Sequence, residues 1–321
     1  MMKASAFFSI ALLFVAACCL PAYGADGPPA WAYPVNPPDF VAPRDDGVPR
    51  RVPGSTATYT LSQLRDRFIA PVWHPSEHPP LPDIVAQGRK PDVFACGFCH
   101  RADGPGGPEN ANLAGQPAAY IIQQMADFKS GARKTSVAKR NFDLMAALSK
   151  PITDEEVAAA AAYFSSLQPR AVIKVVETDT APKTFIMSNH LAAVNSGEKE
   201  PIGQRIIEVP EELERFVHRD THAIFIAYVP PGSVARGEAL VKSGGAGKTM
   251  QCAICHGAEL KGLGQMPGIA GRSPSYMARQ LYDLKSGARA GPNSGLMKVV
   301  VEKLTNDDIV AITAYLATQK P

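Results

Sequence analysis

Two five-residue runs, CGFCH at 96–100 and CAICH at 252–256, constrain this chain more than anything else in it. Each opens a longer stretch that recurs. LAGQPAAYIIQQMADFKSGAR (113–133) follows the first and IAGRSPSYMARQLYDLKSGAR (269–289) the second, with about half of the aligned positions identical. Both copies continue to a Leu-Met pair, Leu144-Met145 and Leu296-Met297. Both close on an apolar run behind a threonine, TDEEVAAAAAYFSSL from Thr153 and TNDDIVAITAYLATQ from Thr305. Thr153 with Glu156 makes a capping box, and Thr305 with Asp308 an acidic variant of it. The chain therefore holds a duplicated domain.

Helical signals dominate both copies. VAQGR and SVARGEALVKSG fit a first helix ahead of each cysteine motif. Pro117 and Pro274 suit the first turns of the next helices, and Gly131 and Gly287 their ends. Val157, Ala161, Phe164 and Leu167 recur at helical spacing. Each copy reads as an all-α unit of roughly 80 residues, a small-domain size.

The six cysteines are Cys18, Cys19, Cys96, Cys99, Cys252 and Cys255. Lys3 precedes the apolar run AFFSIALLFVAACCL, and PAYGAD follows it, so residues 1–24 read as an export signal cleaved near Gly24. A membrane span would need roughly 20 apolar residues. VAAC ending at Cys18 also resembles a lipoprotein processing box, which makes a lipid anchor at Cys18 the alternative. Cleavage near Gly24 leaves every remaining cysteine in a C-x-x-C-H motif and none for structural disulfides. The formal net charge of +3 gives no reason to expect nucleic-acid binding.

C-x-x-C-H brings two sulfurs to one helical turn, within reach of the two vinyl groups of a haem, and sets a histidine to coordinate its iron. A thioredoxin-like dithiol would need a βαβ setting, which surrounds neither copy, and four-ligand zinc would need two more Cys or His per motif, or both motifs sharing one ion. Two covalently attached haem c groups are expected, on Cys96 and Cys99 with His100, and on Cys252 and Cys255 with His256.

With C-x-x-C-H, LAG or IAG before Tyr120 or Tyr276, KSGAR, and a late Met before a terminal helix, the chain resembles the tandem dihaem class I cytochromes c, the cytochrome c-four group and its relatives. The resemblance covers about residues 82–169 and 233–320. It implies a mainly all-α fold of two tandem class I cytochrome c domains. It also implies His and Met axial ligands and a protein that carries electrons in the bacterial periplasm without being an enzyme. The methionine candidates are Met125 and Met145 in the first copy and Met266, Met277 and Met297 in the second. The resemblance favours Met145 and Met297, in the loop-rich stretch before each terminal helix. Thioether ligation raises the reduction potential and fills the sixth position. Pro267 resembles the family proline whose carbonyl accepts from the haem histidine; Ala111 stands at that place in the first copy.

Beyond the repeats, residues 25–81 begin proline-rich and extended, with Trp31 and Tyr33 suited to a groove and TLSQLRDRF (60–68) to a short helix. The connector, 170–232, contains β-like runs, AVIKVVET, RIIEVP and AIFIAYVP, and an acidic stretch from Glu208 to Glu214. It reads as a small sheet bracing the two domains, with a docking surface as the alternative. His74, His78, His190, His218 and His222 read as hydrogen-bonded or solvated. Lys129, Arg133, Lys134, Lys139 and Arg140 read as a solvated face or, in a cytochrome, a group that steers an acidic partner or holds propionates. The expected partners are redox proteins: a donor dehydrogenase or bc-type complex and an acceptor oxidase or reductase. The competing readings are a dihaem peroxidase or thiosulfate-oxidising enzyme, and a haem subunit of a membrane dehydrogenase or oxidase complex.

Overall fold

The computed structural model describes residues 27–321; the export signal and Cys18 lie outside them. The first copy is built from α2 (Asp83–Ala86), α3 (Cys96–His100), α4 (Ala118–Ser130), α5 (Arg140–Leu148) and α6 (Asp154–Ser166), preceded by a short α1 (Leu61–Arg65). The connector folds as β1 (Ile173–Glu177), β2 (Thr180–Pro182), β3 (Thr184–Met187), β4 (His190–Ala193), β5 (Lys199–Pro201), β6 (Ile207–Pro210), α7 (Leu213–Val217) and β7 (Phe225–Val229). The second copy follows as α8 (Ser233–Ser243), α9 (Ala253–His256), α10 (Pro274–Lys285), α11 (Ser294–Val301) and α12 (Asn306–Thr318).

Local chemistry sets most of these boundaries. Thr153 and Thr305 accept from the backbone N–H three residues on, and the Glu156 and Asp308 carboxylates reach back to the cap N–H. Thr60 and Gln63 do the same for α1. Such caps satisfy donors that helix geometry leaves free. Gly131 ends α4 in the left-handed region, at φ 78°.

The two first helices differ. α8 runs 11 residues and crosses α12 at Gly237, where a Cβ would stand 2.0 Å from the Ala311 carbonyl oxygen. No side chain fits there. The matching α2 is one turn long, because Gly88 turns at φ +65° and Pro91 follows three residues later. The expected first helix is thus cut short in the first copy.

In the connector, β1 pairs parallel with β7, and β6 antiparallel with β7, giving the order β1-β7-β6. Ala227 and Val229 of this sheet join Ile309, Ile312 and Leu316 in the core of the second copy, together with Ala32 and Tyr33 from the N-terminal segment. The core of the first copy, with Val85, Ile121, Val157 and Phe164, is a separate cluster. The connector nevertheless reaches the first copy through its loops. Arg219 donates to the Phe98 carbonyl at 2.8 Å, and its guanidinium lies 3.8 Å from the Phe98 ring. Glu208, expected on an acidic surface, is 2% exposed and accepts from Ser273 and Ser275 at the start of α10.

The KSGAR segments of the two copies meet. Lys134 N–H donates to Ala288 O at 2.7 Å, and Ala290 N–H to Ala132 O at 2.8 Å. Arg133 donates to Tyr276 Oη (3.1 Å) and Gln280 Oε1 (2.9 Å) of the second copy. Reciprocally, Arg289 donates to Tyr120 Oη (3.0 Å) and Gln124 Oε1 (2.8 Å) of the first. Gln116 clasps the backbone of Gly268 through both its amide atoms, at 2.9 Å each. Arg133 is therefore interface, not solvated face.

Candidate haem sites

Each copy surrounds one cavity. The first, about 150 Å³, is lined by Cys96, Cys99 and His100 from α3, by Met125 from α4 and by Phe142, Met145 and Leu148 from α5. The second, about 440 Å³, is lined by Cys252, Cys255 and His256, by Met266 and Met277, and by Met297, Val300 and Leu304. The structure brings every sequence-predicted Cys, His and Met together, copy by copy. The other methionines face the same cavities, so position on the helices separates them. Met125 packs against the first core, and Met277 is 8% exposed within the second. Met266 adjoins Pro267 on the histidine's own wall. Met145 and Met297 alone come from the short helices after the KSGAR segments.

Those two methionines sit in helices, not loops. Phe142, Met145 and Leu148 are three residues apart, as are Met297 and Val300, so one helical face lines each cavity. Asn293 is the residue that immediately precedes α11.

The histidines are held alike. His100 Nδ1 lies 2.8 Å from Ala111 O, and His256 Nδ1 lies 2.7 Å from Pro267 O. A backbone carbonyl needs only a place in the chain, so alanine serves as well as proline. The bond fixes the tautomer and leaves Nε2 for a metal. Burial holds both imidazoles below their ordinary pKa, against the raising effect of these carbonyls, and so keeps them neutral. Burial also pushes the Cys96 thiol up to about 12 and Cys252 up to about 11.

Polar groups collect at the rims. Tyr120, Gln124, Tyr276 and Gln280 line both cavities, so the Arg133–Arg289 network stands between them. Burial raises the Tyr120 phenol, but Arg289 and Arg133 outweigh it and leave it below its ordinary value. Lys139 is 5% exposed, donates to Pro34 O and Asn189 O, and lines the first cavity. Burial first and Arg279 second lower it to about 7. Of the two readings of the basic run, the solvated face does not hold for Lys139, since the N-terminal segment and the connector cover it.

The histidine pairs rearrange as well. The His74 and His222 rings stack at 3.8 Å; His74 Nε2 lies 3.0 Å from Asp220 Oδ1, and His222 Nε2 lies 2.8 Å from Glu77 Oε2. Ligand atoms of His74, Glu77 and His222 lie within 4.8 Å of one another, but the Arg170 guanidinium bonds Glu77 and supplies the cation there. The cluster is a hydrogen-bonded clamp. His190 is 1% exposed against Phe216, and burial lowers it to about 4.

An apolar slot with two thiols and a carbonyl-pinned histidine on one wall, thioethers on others, and Arg, Tyr and Lys at its rim suits an iron porphyrin carrying two carboxylates. Occurring twice, it defines a two-site c-type haem protein. The cytochrome c family profile matches residues 86–168 and 234–320, and the chain belongs to that family. It carries two covalently bound haem c groups. A thiosulfate dehydrogenase electron acceptor from Thiomonas intermedia (strain K12) is 27% identical over 71% of this chain and 80% of its own length. Cytochrome c4 from Pseudomonas aeruginosa is 27% identical over 69% and 82%. Among solved structures, thiosulfate dehydrogenase from Marichromatium purpuratum is 26% identical over 71% of this chain, with a TM-score of 0.46; this chain spans 37% of that one.

Sequence reasoning named the shared tyrosines and KSGAR but assigned them no contact. Their identity in both copies was the available signal, because a contact repeated across a pseudo-twofold needs the same residues twice.

Proposed function

We propose that the protein is a dihaem electron carrier of the periplasm, with His100 and Met145 ligating one iron and His256 and Met297 the other. The observation that carries this reading is the convergence of C-x-x-C-H and a methionine from a separate helix on one cavity, in both copies. Cys96 and Cys99, and Cys252 and Cys255, would hold the thioether bonds. When bound, each haem supplies a one-electron couple at its iron. The chain keeps each histidine neutral and aligned through a backbone carbonyl, lines each cavity with apolar walls, and brings a methionine from a separate helix to the same cavity, where its thioether would serve as the second ligand. A geometry that changes little on reduction favours transfer over turnover. The rim arginines, tyrosines and Lys139 would take the propionates.

The domain division consistent with this is an N-terminal segment at 25–81, cytochrome domains at 82–169 and 233–321, and a connector at 170–232. The periplasmic assignment rests on the export-like first 24 residues. Among the described residues no helix is long and apolar enough to cross a membrane. The relative that accepts electrons from thiosulfate dehydrogenase supports a dehydrogenase as donor, with an oxidase or reductase downstream. An enzyme would need a displaceable sixth ligand, and both cavities present methionine. Mass spectrometry of the denatured protein and the methionine–iron charge-transfer absorption test this. Two haems and two such bands are expected; one haem per chain, or rapid carbon monoxide binding at one iron, would overturn it.

A further inference from the structure

The mouths of the two cavities differ in what covers them. In the second copy Ile254, between the two cysteines, is 59% exposed, and Leu263 is 60% exposed on the loop that follows. Met250, Leu296 and Val299, which line the cavity, are 45%, 60% and 58% exposed. Ile254 stands between the cavity-lining Cys252 and Cys255, and Leu263 two residues before lining Gln265, so all five lie on segments that border the cavity, an apolar rim rather than scattered surface residues. In the two segments that carry them, 248–266 and 293–303, Lys248 pairs with Asp308 and Lys261 with Glu259, which leaves Lys298 and Lys303 against Glu302. Lys298 and Lys303 are both exposed.

At the corresponding places in the first copy less apolar surface is open: Phe94, the counterpart of Met250, is half-buried, and only Ala147, the counterpart of Val299, is exposed. Phe98, the counterpart of Ile254, is 8% exposed beneath Arg219. Gly107, the counterpart of Leu263, is buried, and Leu144, the counterpart of Leu296, is half-buried. Asn189 of the connector donates to Asn141 of α5 and is bonded by Lys139.

We propose that external electron exchange runs through the second copy alone, by docking of a redox protein whose own contact face is apolar at its centre and acidic at its rim. The apolar rim excludes water around the cavity mouth, and the surplus of lysines steers an acidic partner. The first haem then exchanges electrons only across the Arg133–Arg289 interface. This rests on the two-haem carrier reading above.

The test uses the full holoprotein, with an acidic blue-copper protein as the redox probe in stopped-flow kinetics. Leu263→Glu and the double variant Lys298→Glu/Lys303→Glu should each lower the second-order rate roughly tenfold at low salt, and the double variant should flatten its salt dependence. Ile122→Glu on α4 and Phe185→Glu on β3, both exposed sites elsewhere, should leave it unchanged. Dithionite reduction of every variant should give the full two-haem spectrum, and its loss would speak against the carrier reading rather than the docking face. Equal losses at Ile122 or Phe185, unchanged rates in the rim variants, or a wild-type rate that does not fall with salt would overturn the proposal.

Discussion

The two cytochrome copies share a spacing and differ in their surroundings. From 96 to 133 and from 252 to 289 they align without a gap, and both histidines bond the carbonyl eleven residues on. Yet the first cavity measures about 150 Å³ beneath covering loops, and the second about 440 Å³ with an exposed rim. Repetition preserved the chemistry of attachment and left the outer surface free to diverge. The turn after each motif shows the same division. Arg101 and Gly104 take positive φ in the first copy, Gly257 and Leu260 in the second. Arg101 holds a conformation that glycine adopts at no cost in its sister, and its side chain, 3% exposed, lies beside Glu109 and over Phe216 of the connector.

The sharpest break of this comparison removes one cofactor. Cys252→Ala with Cys255→Ala should abolish attachment in the second copy and leave the first haem in place, so the denatured mass carries one haem. Loss of both would show that the copies do not mature independently.

Next comes the axial sulfur. Met297→Ala should open the second iron to added imidazole and lower that potential alone, and Met145→Ala should do the same for the first. The covered cavity should bind the ligand about tenfold more slowly, since opening must first cost on the order of 1.4 kcal/mol. Retention of both charge-transfer bands in Met145→Ala would remove Met145 from the site.

A smaller effect tests the cover. Arg219→Ala leaves the Leu64 and Phe98 carbonyls without their donor and strips the cation from the Phe98 ring. A loss of about 2–4 kcal/mol is expected in denaturant unfolding. Faster ligand entry at the first iron of Met145→Ala should accompany it, with the second iron unchanged.

The smallest concerns acid. Partial burial raises the Glu77 carboxyl, but hydrogen bonds from His222 and Arg170 outweigh it and lower it from 4.5 to about 2. The folded pKa lies below the unfolded one, so the stabilisation is present above about 4.5 and is lost as pH falls toward 2. The Glu77 side chain is 35% exposed, so solvent screening limits the gain to about 1 kcal/mol at pH 7. Glu77→Gln should remove that amount and flatten the acid limb between those pH values, as followed by thermal unfolding.

What could be read beforehand was what depends on near neighbours in the chain. C-x-x-C-H, the capping boxes at Thr153 and Thr305, and the carbonyls of Ala111 and Pro267 each act within a dozen residues. Connector strands were visible because Ile173–Glu177 and Phe225–Val229 are rich in β-branched and aromatic residues. Burial across long sequence separation was not. Lys139 in a basic run and Glu208 in an acidic one look solvated until Pro34, Asn189, Ser273 and Ser275 close over them. The α5 and α11 helices were missed because their only periodic face points at the cavities.

The reciprocal contacts of Arg133 with Tyr276 and Arg289 with Tyr120 are those of an isologous interface, the kind a symmetric dimer of identical subunits forms. The chain thus behaves as a tethered dimer. Tethering converts association into an intramolecular step whose effective concentration is set by the length and stiffness of the link, here the folded connector. Contacts that would hold two free subunits only weakly can then keep both domains engaged, and each surface is free to specialise without giving up its partner.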